Sequence, residues 1–186
     1  MRFEQKLKNF LSRKKKALKM WDRVQEHLEG YPERLAVARV LIENGLSVRN
    51  GRIYLNDIEI PIVGVARVSG VDRRTVMRTI QSIEGNEELR TLFRNLKSAG
   101  HSLKENARHL GLGVIEITPV DAKTPGILAK AATLLAKRGI SIRQALVDDT
   151  YLSPEPKLTL IAETKIPGEL ISDFLKIPGV SKVSVY

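Results

Sequence analysis

The succession of local hydrophobic patterns over residues 113–186 leaves this chain fewer folding options than any other feature. Val114-Ile115-Glu116-Ile117 reads as a strand, and Asp121 to Gly126 as a loop entering a helix. From Ile127 to about Arg138, Ile127, Leu128, Ala131, Leu134 and Leu135 recur at helical spacing before a stop at Gly139. Ile140–Val147 gives a second strand, Lys157–Glu163 an alternating third, Gly168–Leu175 a second helix and Val180–Val185 a last strand. The order β-α-β-β-α-β is that of a ferredoxin-like sheet with both helices on one face.

The first 112 residues follow a different rule. Residues 2–28 lack Pro and Gly and space Phe3, Leu7, Phe10, Leu11, Leu18, Trp21, Val24 and Leu28 as an amphipathic helix that carries Arg13-Lys14-Lys15-Lys16. A second helix over 33–44 stops at Asn44-Gly45. Asn50-Gly51 and Asn56-Asp57 then predict tight turns between short strands in 46–60, a hairpin that serves as a wing or as a dimer brace. Helical spacing returns from Pro61 to about Ile83 with one interruption, and again through 87–96 and 103–110. Within 61–83, Pro61 suits a first helical turn, Ala66 allows close helix crossing, Gly70 takes a sharp turn, Val71 fills the corner and Asp72 caps the next helix. Val76, Ile80 and Ile83 face inward. This resembles the helix-turn-helix pattern, with Ser69 where an apolar residue is usual.

With Val76 inward, a rotation of about 100° per residue turns Arg74, Arg78 and Gln81 outward, with Met77 beside them. Arginine suits guanine or phosphate and glutamine suits adenine, while Arg73 turns toward backbone phosphate. Aromatic residues make up 5% of the chain and none lies in this stretch, which disfavours base stacking on a single strand and favours duplex DNA. Charge agrees: residues 1–112 hold 22 Lys+Arg against 13 Asp+Glu, whereas 113–186 hold 9 against 8. So uneven a distribution points to a polyanion partner for the first half, a solvated basic surface being the plain alternative.

Several chemistries drop out. There is no cysteine, hence no disulfide, thiolate zinc site or thiol nucleophile. No phosphate-cradling glycine loop or serine-nucleophile motif is present, and His27, His101 and His109 have no evident partner or metal spacing, so an enzyme is not expected and neither metal nor cofactor is implied. Without a membrane-length apolar run or a secretory leader, the expectation is a soluble cytoplasmic protein.

Thr124-Pro125-Gly126-Ile127-Leu128-Ala129 followed by Leu135-Ala136-Lys137-Arg138-Gly139-Ile140-Ser141-Ile142 strongly resembles ACT domains over about 113–186. With Gly70-Val71-Asp72-Arg73-Arg74 and Ile166-Pro167-Gly168-Glu169-Leu170-Ile171 included, the whole chain looks like an archaeal family described as predicted regulators of amino acid metabolism. The resemblance implies side-by-side pairing into a homodimer or higher assembly, and an amino acid effector at the seam. It assigns that effector to Asp121, Lys123, Thr124, Gly126, Ile127, Leu128 and Ser141, with Lys123 and Ser141 standing where amino-acid-binding members often have asparagine. Lys123 suits a carboxylate and Asp148 or Asp149 an amine, exposed loop charges being the alternative. The expected fold is therefore α+β: a mostly helical helix-turn-helix domain with a short β-hairpin at 1–112, then a ferredoxin-like domain at 113–186. The expected function is amino-acid-responsive transcription control. A regulatory subunit that docks on a metabolic enzyme without binding DNA is the competing reading.

Overall fold

The structure, a computed structural model, describes residues 20–186. The sequence expectations for 2–19, including the Arg13-Lys16 run, lie outside the described residues. Among those described, the chain is α+β, with seven α-helices and two antiparallel sheets divided between two compact units.

The first unit ends at Ala99. It holds α1 (Met20–His27), α2 (Pro32–Glu43), β1 (Leu46–Arg49), β2 (Arg52–Leu55), β3 (Ile58–Ile60), α3 (Ile62–Ser69), α4 (Arg73–Gly85) and α5 (Glu87–Arg94). Val37, Ala38 and Leu41 from α2, Val48 and Ile53 from the sheet, Val76 and Ile83 from α4, and Phe93 from α5 are at most 2% exposed and form its core. Asn50 and Gly51 both adopt positive φ, which closes the β1–β2 hairpin as the Asn-Gly pair predicts. At Gly45, φ is +62° and an added Cβ would lie 2.6 Å from the backbone oxygen of Lys97, so the turn after α2 packs against the chain beyond α5 only as glycine.

The α3–α4 corner follows the sequence closely. Gly70 takes the left-handed conformation that ends α3, and the N–H groups of Gly70 and Val71 bond back to the carbonyls of Arg67 and Ala66. Asp72 then begins α4 by accepting the Thr75 N–H at 2.6 Å. That bond, followed by the Thr75 hydroxyl, holds the Asp72 carboxyl below its ordinary value.

The second unit, Gly100–Tyr186, contains a 3₁₀ turn (Lys104–Asn106), β4 (Gly113–Pro119), α6 (Ile127–Lys137), β5 (Ile142–Val147), β6 (Leu158–Ala162), α7 (Leu170–Leu175) and β7 (Val180–Val185). Its sheet order, β5-β6-β4-β7, all antiparallel, is the split arrangement expected of β-α-β-β-α-β. One face buries Ile115, Ile117, Leu158 and Leu160 against Ile127, Ala131 and Leu135 of α6 and Leu170 and Phe174 of α7. Both helices therefore lie on that face.

Two expectations need correction. The domain boundary placed at 112/113 falls at 99/100, because Leu103, Ala107 and Leu112 pack on Val114 and Ile161 across the helix-free face of the sheet. The helix expected over 103–110 is reduced to the single 3₁₀ turn. Its Lys104 reaches Glu116 at 2.7 Å, and the Tyr186 hydroxyl donates to the other carboxylate oxygen at 3.0 Å. Glu116 is only 8% exposed. The Lys104 contact holds its carboxyl below, and the lysine above, their ordinary values.

Candidate functional site

Helix α4 separates its residues sharply. Thr75, Val76, Thr79, Ile80 and Ile83 are buried, whereas Arg73, Arg74, Met77, Arg78 and Gln81 are all exposed. Met77, 49% exposed, is an apolar side chain left at the centre of that outward face. Every residue predicted to read nucleic acid thus lies on one side of one helix.

Four arginines elsewhere in the unit are engaged with carboxylates. Arg23 pairs with Glu88, Arg39 with Glu43, Arg49 with Asp57 and Arg52 with Glu59. Among the described residues, Arg73, Arg74, Arg78 and the exposed Arg67 of α3 have no carboxylate within 4.0 Å, the Asp72 charge acting on Arg74 only as a minor influence. Sequence reasoning passed over Arg67, which carries no motif signal of its own.

The flanks of α4 are braced. On one side, toward its carboxy terminus, Glu84 accepts the Gly51 N–H at 2.7 Å, which fixes the hairpin turn against the helix. On the other, Arg34 of α2 donates to the Ser82 hydroxyl at 2.9 Å and Glu33 meets the Thr75 hydroxyl at 3.4 Å. His27, for which the sequence offered no partner, lies 3.1 Å from Glu88 and 3.3 Å from the Asn86 amide, tying α1 to the start of α5.

The second unit holds a cavity of about 200 Å³ between the loop entering α6 and the β5–β6 connection. Of the predicted effector residues, Thr124, Gly126, Ile127 and Leu128 line it. Gly126 (φ +88°) caps α6 without a side-chain acceptor, so the first N–H groups of an 11-residue helix open toward this space. Asp121, Lys123 and Ser141 are not lining residues. The Asp121 carboxylate accepts the Lys123 N–H at 2.9 Å and so shapes its own turn, while the Lys123 ammonium lies 5.4 Å from the Tyr151 ring centroid. Ser141 precedes β5 at the end away from Val147, roughly 20 Å along the strand at about 3.3 Å per residue.

Asp148 does line the cavity, with one oxygen accepting the Lys157 N–H at 3.1 Å; Asp149 instead caps the turn at Tyr151 and Leu152. Val147, Thr150, Pro156, Lys157 and Leu158 complete that wall, together with Ile117, Pro119 and Ala122. Nothing local in the sequence marks the residues between 147 and 158, since antiparallel pairing of β5 with β6 brings them to the α6 entry from beyond that helix.

No family model and no curated protein sequence matches this chain. Solved structures similar to it include E. coli AsnC, at 14% identity over 83% of this chain and 87% of that one, with a TM-score of 0.29. Another is the protein designated PH0061, at 15% identity over 82% and 88% of the two chains, with a TM-score of 0.25. These likenesses are shallow.

Among the described residues, no helix is long and apolar enough to cross a membrane, and no group of three or more His, Asp or Glu side chains is placed to hold a metal ion.

Proposed function

We propose that this chain is an effector-responsive regulator of transcription that binds duplex DNA through the outward face of α4. The observation that carries this reading is the exposed set Arg73, Arg74, Met77, Arg78 and Gln81 on a capped, braced helix whose arginines have no carboxylate partner among the described residues. Guanidinium groups held on a helix narrow enough for the major groove have the donors for guanine O6 and N7 or for phosphate. Gln81 has both a donor and an acceptor for adenine.

The effector is a small molecule bearing a carboxylate and an amine, an amino acid by chemistry. Its carboxylate meets the open N–H groups at the start of α6, its amine meets Asp148, and its apolar part lies against Ile117, Leu128 and Val147. Pairing of two chains presents two copies of α4 to successive turns of one duplex, and effector binding alters their spacing and hence DNA affinity.

Arg74→Ala with Arg78→Ala is expected to weaken binding to a selected duplex by at least tenfold, on the basis of about 1–3 kcal/mol for each good base contact. Circular dichroism is expected to stay unchanged, because neither side chain is buried. Unchanged affinity in the double variant removes this face from the account. Calorimetry across the amino acids is expected to find a ligand, weakened by Gly126→Trp; silence across the whole set overturns the sensing half.

A further inference from the structure

We propose that Arg34, stacked on Tyr31, makes a further phosphate contact to the duplex beside α4; this inference rests on the DNA-binding reading above. The Arg34 guanidinium lies 4.0 Å from the Tyr31 ring centroid and donates from Nη1 to the Ser82 hydroxyl at 2.9 Å. Ser82 in turn donates to the Arg78 carbonyl at 3.0 Å, which ties the stacked pair to the turn of α4 that carries a principal reading arginine.

Three consequences follow from chemistry. Stacking and the Ser82 bond consume one of the five guanidinium N–H donors and leave the others for an anion. A guanidinium fixed this way has little rotamer freedom left to lose when it binds, so it is a better phosphate ligand than a free surface lysine. Its charge is also uncompensated: among the described residues no carboxylate oxygen lies within 4.0 Å of it, although the neighbouring Glu33 is turned to the Thr75 hydroxyl on the same flank. Tyr31, 52% exposed, supplies an edge on which a sugar can rest while the guanidinium engages the adjoining phosphate. A phosphate contact fixes register without reading sequence, so Arg34 sets how α4 enters the groove and Arg74 and Arg78 set which bases it prefers.

The experiment is fluorescence anisotropy of the full chain with a labelled mixed-sequence duplex of about 25 base pairs across a range of potassium chloride concentrations, because each phosphate neutralised adds about 0.9 to the slope of log affinity against log salt. Arg34→Gln removes the charge, and its shorter side chain also gives up the Ser82 bond that the arginine makes from Nη1. It is expected to reduce the magnitude of that slope by about 1 and to weaken binding about eightfold at 0.1 M salt, equally for selected and mixed sequences. Arg34→Lys is expected to keep the slope and lose part of the affinity. If Arg34→Gln instead only lowers the melting temperature, with its slope equal to that of the wild type, Arg34 is a packing residue and the proposal is overturned. If Arg34→Lys alone folds, affinity equal to wild type overturns it as well. Absence of any duplex binding by the wild type overturns the reading on which it rests, a result distinct from an Arg34-specific failure.

Discussion

Single residues decide the sharpest features of this fold. Asp72 is fully committed to its cap: the Thr75 N–H and then the Thr75 hydroxyl stabilise its charged form. A carboxyl lowered by folding adds stability above its unfolded value of about 3.9, and that stability disappears as pH falls through the lower folded value. Asp72→Ala is therefore expected to melt earlier than the wild type at pH 7, with the difference shrinking below about pH 4; thermal denaturation followed by circular dichroism checks both parts. Gly45→Ala faces a positive φ and a Cβ position 2.6 Å from the Lys97 oxygen, so a loss of more than about 1 kcal/mol in urea unfolding is expected. Lys104 and Glu116 carry opposite shifts in the other unit. Lys104→Met is expected to cost about 1 kcal/mol, kept small because Lys104 is about one-third exposed, and the loss should fade in acid as Glu116 protonates.

At the scale of elements, the features legible in the sequence are those with local causes. Asn50-Gly51, the Gly70 corner, the Asp72 cap and the inward stripe of Val76, Ile80 and Ile83 each arise from conformational preferences a few residues apart, and all appear where the pattern put them. The same periodicity exposed the outer face of α4. Ile83→Ala, at a position with no solvent exposure, is expected to destabilise the first unit by about 2–5 kcal/mol in denaturant unfolding. The features that were not legible depend on distant pairing. Residues 103–110 have helical spacing, yet Leu103, Ala107 and Leu112 serve a sheet surface, and a sheet surface imposes no period on the segment that covers it. The cavity was half visible: Thr124, Gly126, Ile127 and Leu128 follow from the loop and helix start, and Asp148 was one of two acidic candidates for an amine, whereas Val147 and Lys157 reach it only through the β5–β6 register. Ser141 lies close to the α6 segment in sequence but just before the far end of β5, which runs from there toward the site and delivers Val147 to it.

For the molecule as a whole, the division of charge seen along the sequence now has a structural counterpart. The first unit carries arginines without a carboxylate partner on a helix face stiffened from both flanks, and the second carries at a helix start a mostly apolar cavity whose charged lining residues are Asp148 and Lys157. A surface of this kind binds a polyanion chiefly by releasing counterions, so its affinity for a duplex falls steeply as salt rises. The decisive measurement is duplex affinity of the full chain as a function of salt, wild type beside the Arg74→Ala, Arg78→Ala double variant. The prediction is a slope of about −3 or steeper for the wild type, since three or more phosphate neutralisations contribute about 0.9 each, with the variant binding a selected duplex at least tenfold more weakly across the salt range. Equal affinity of the two proteins at every salt concentration, or no duplex binding by either, contradicts it.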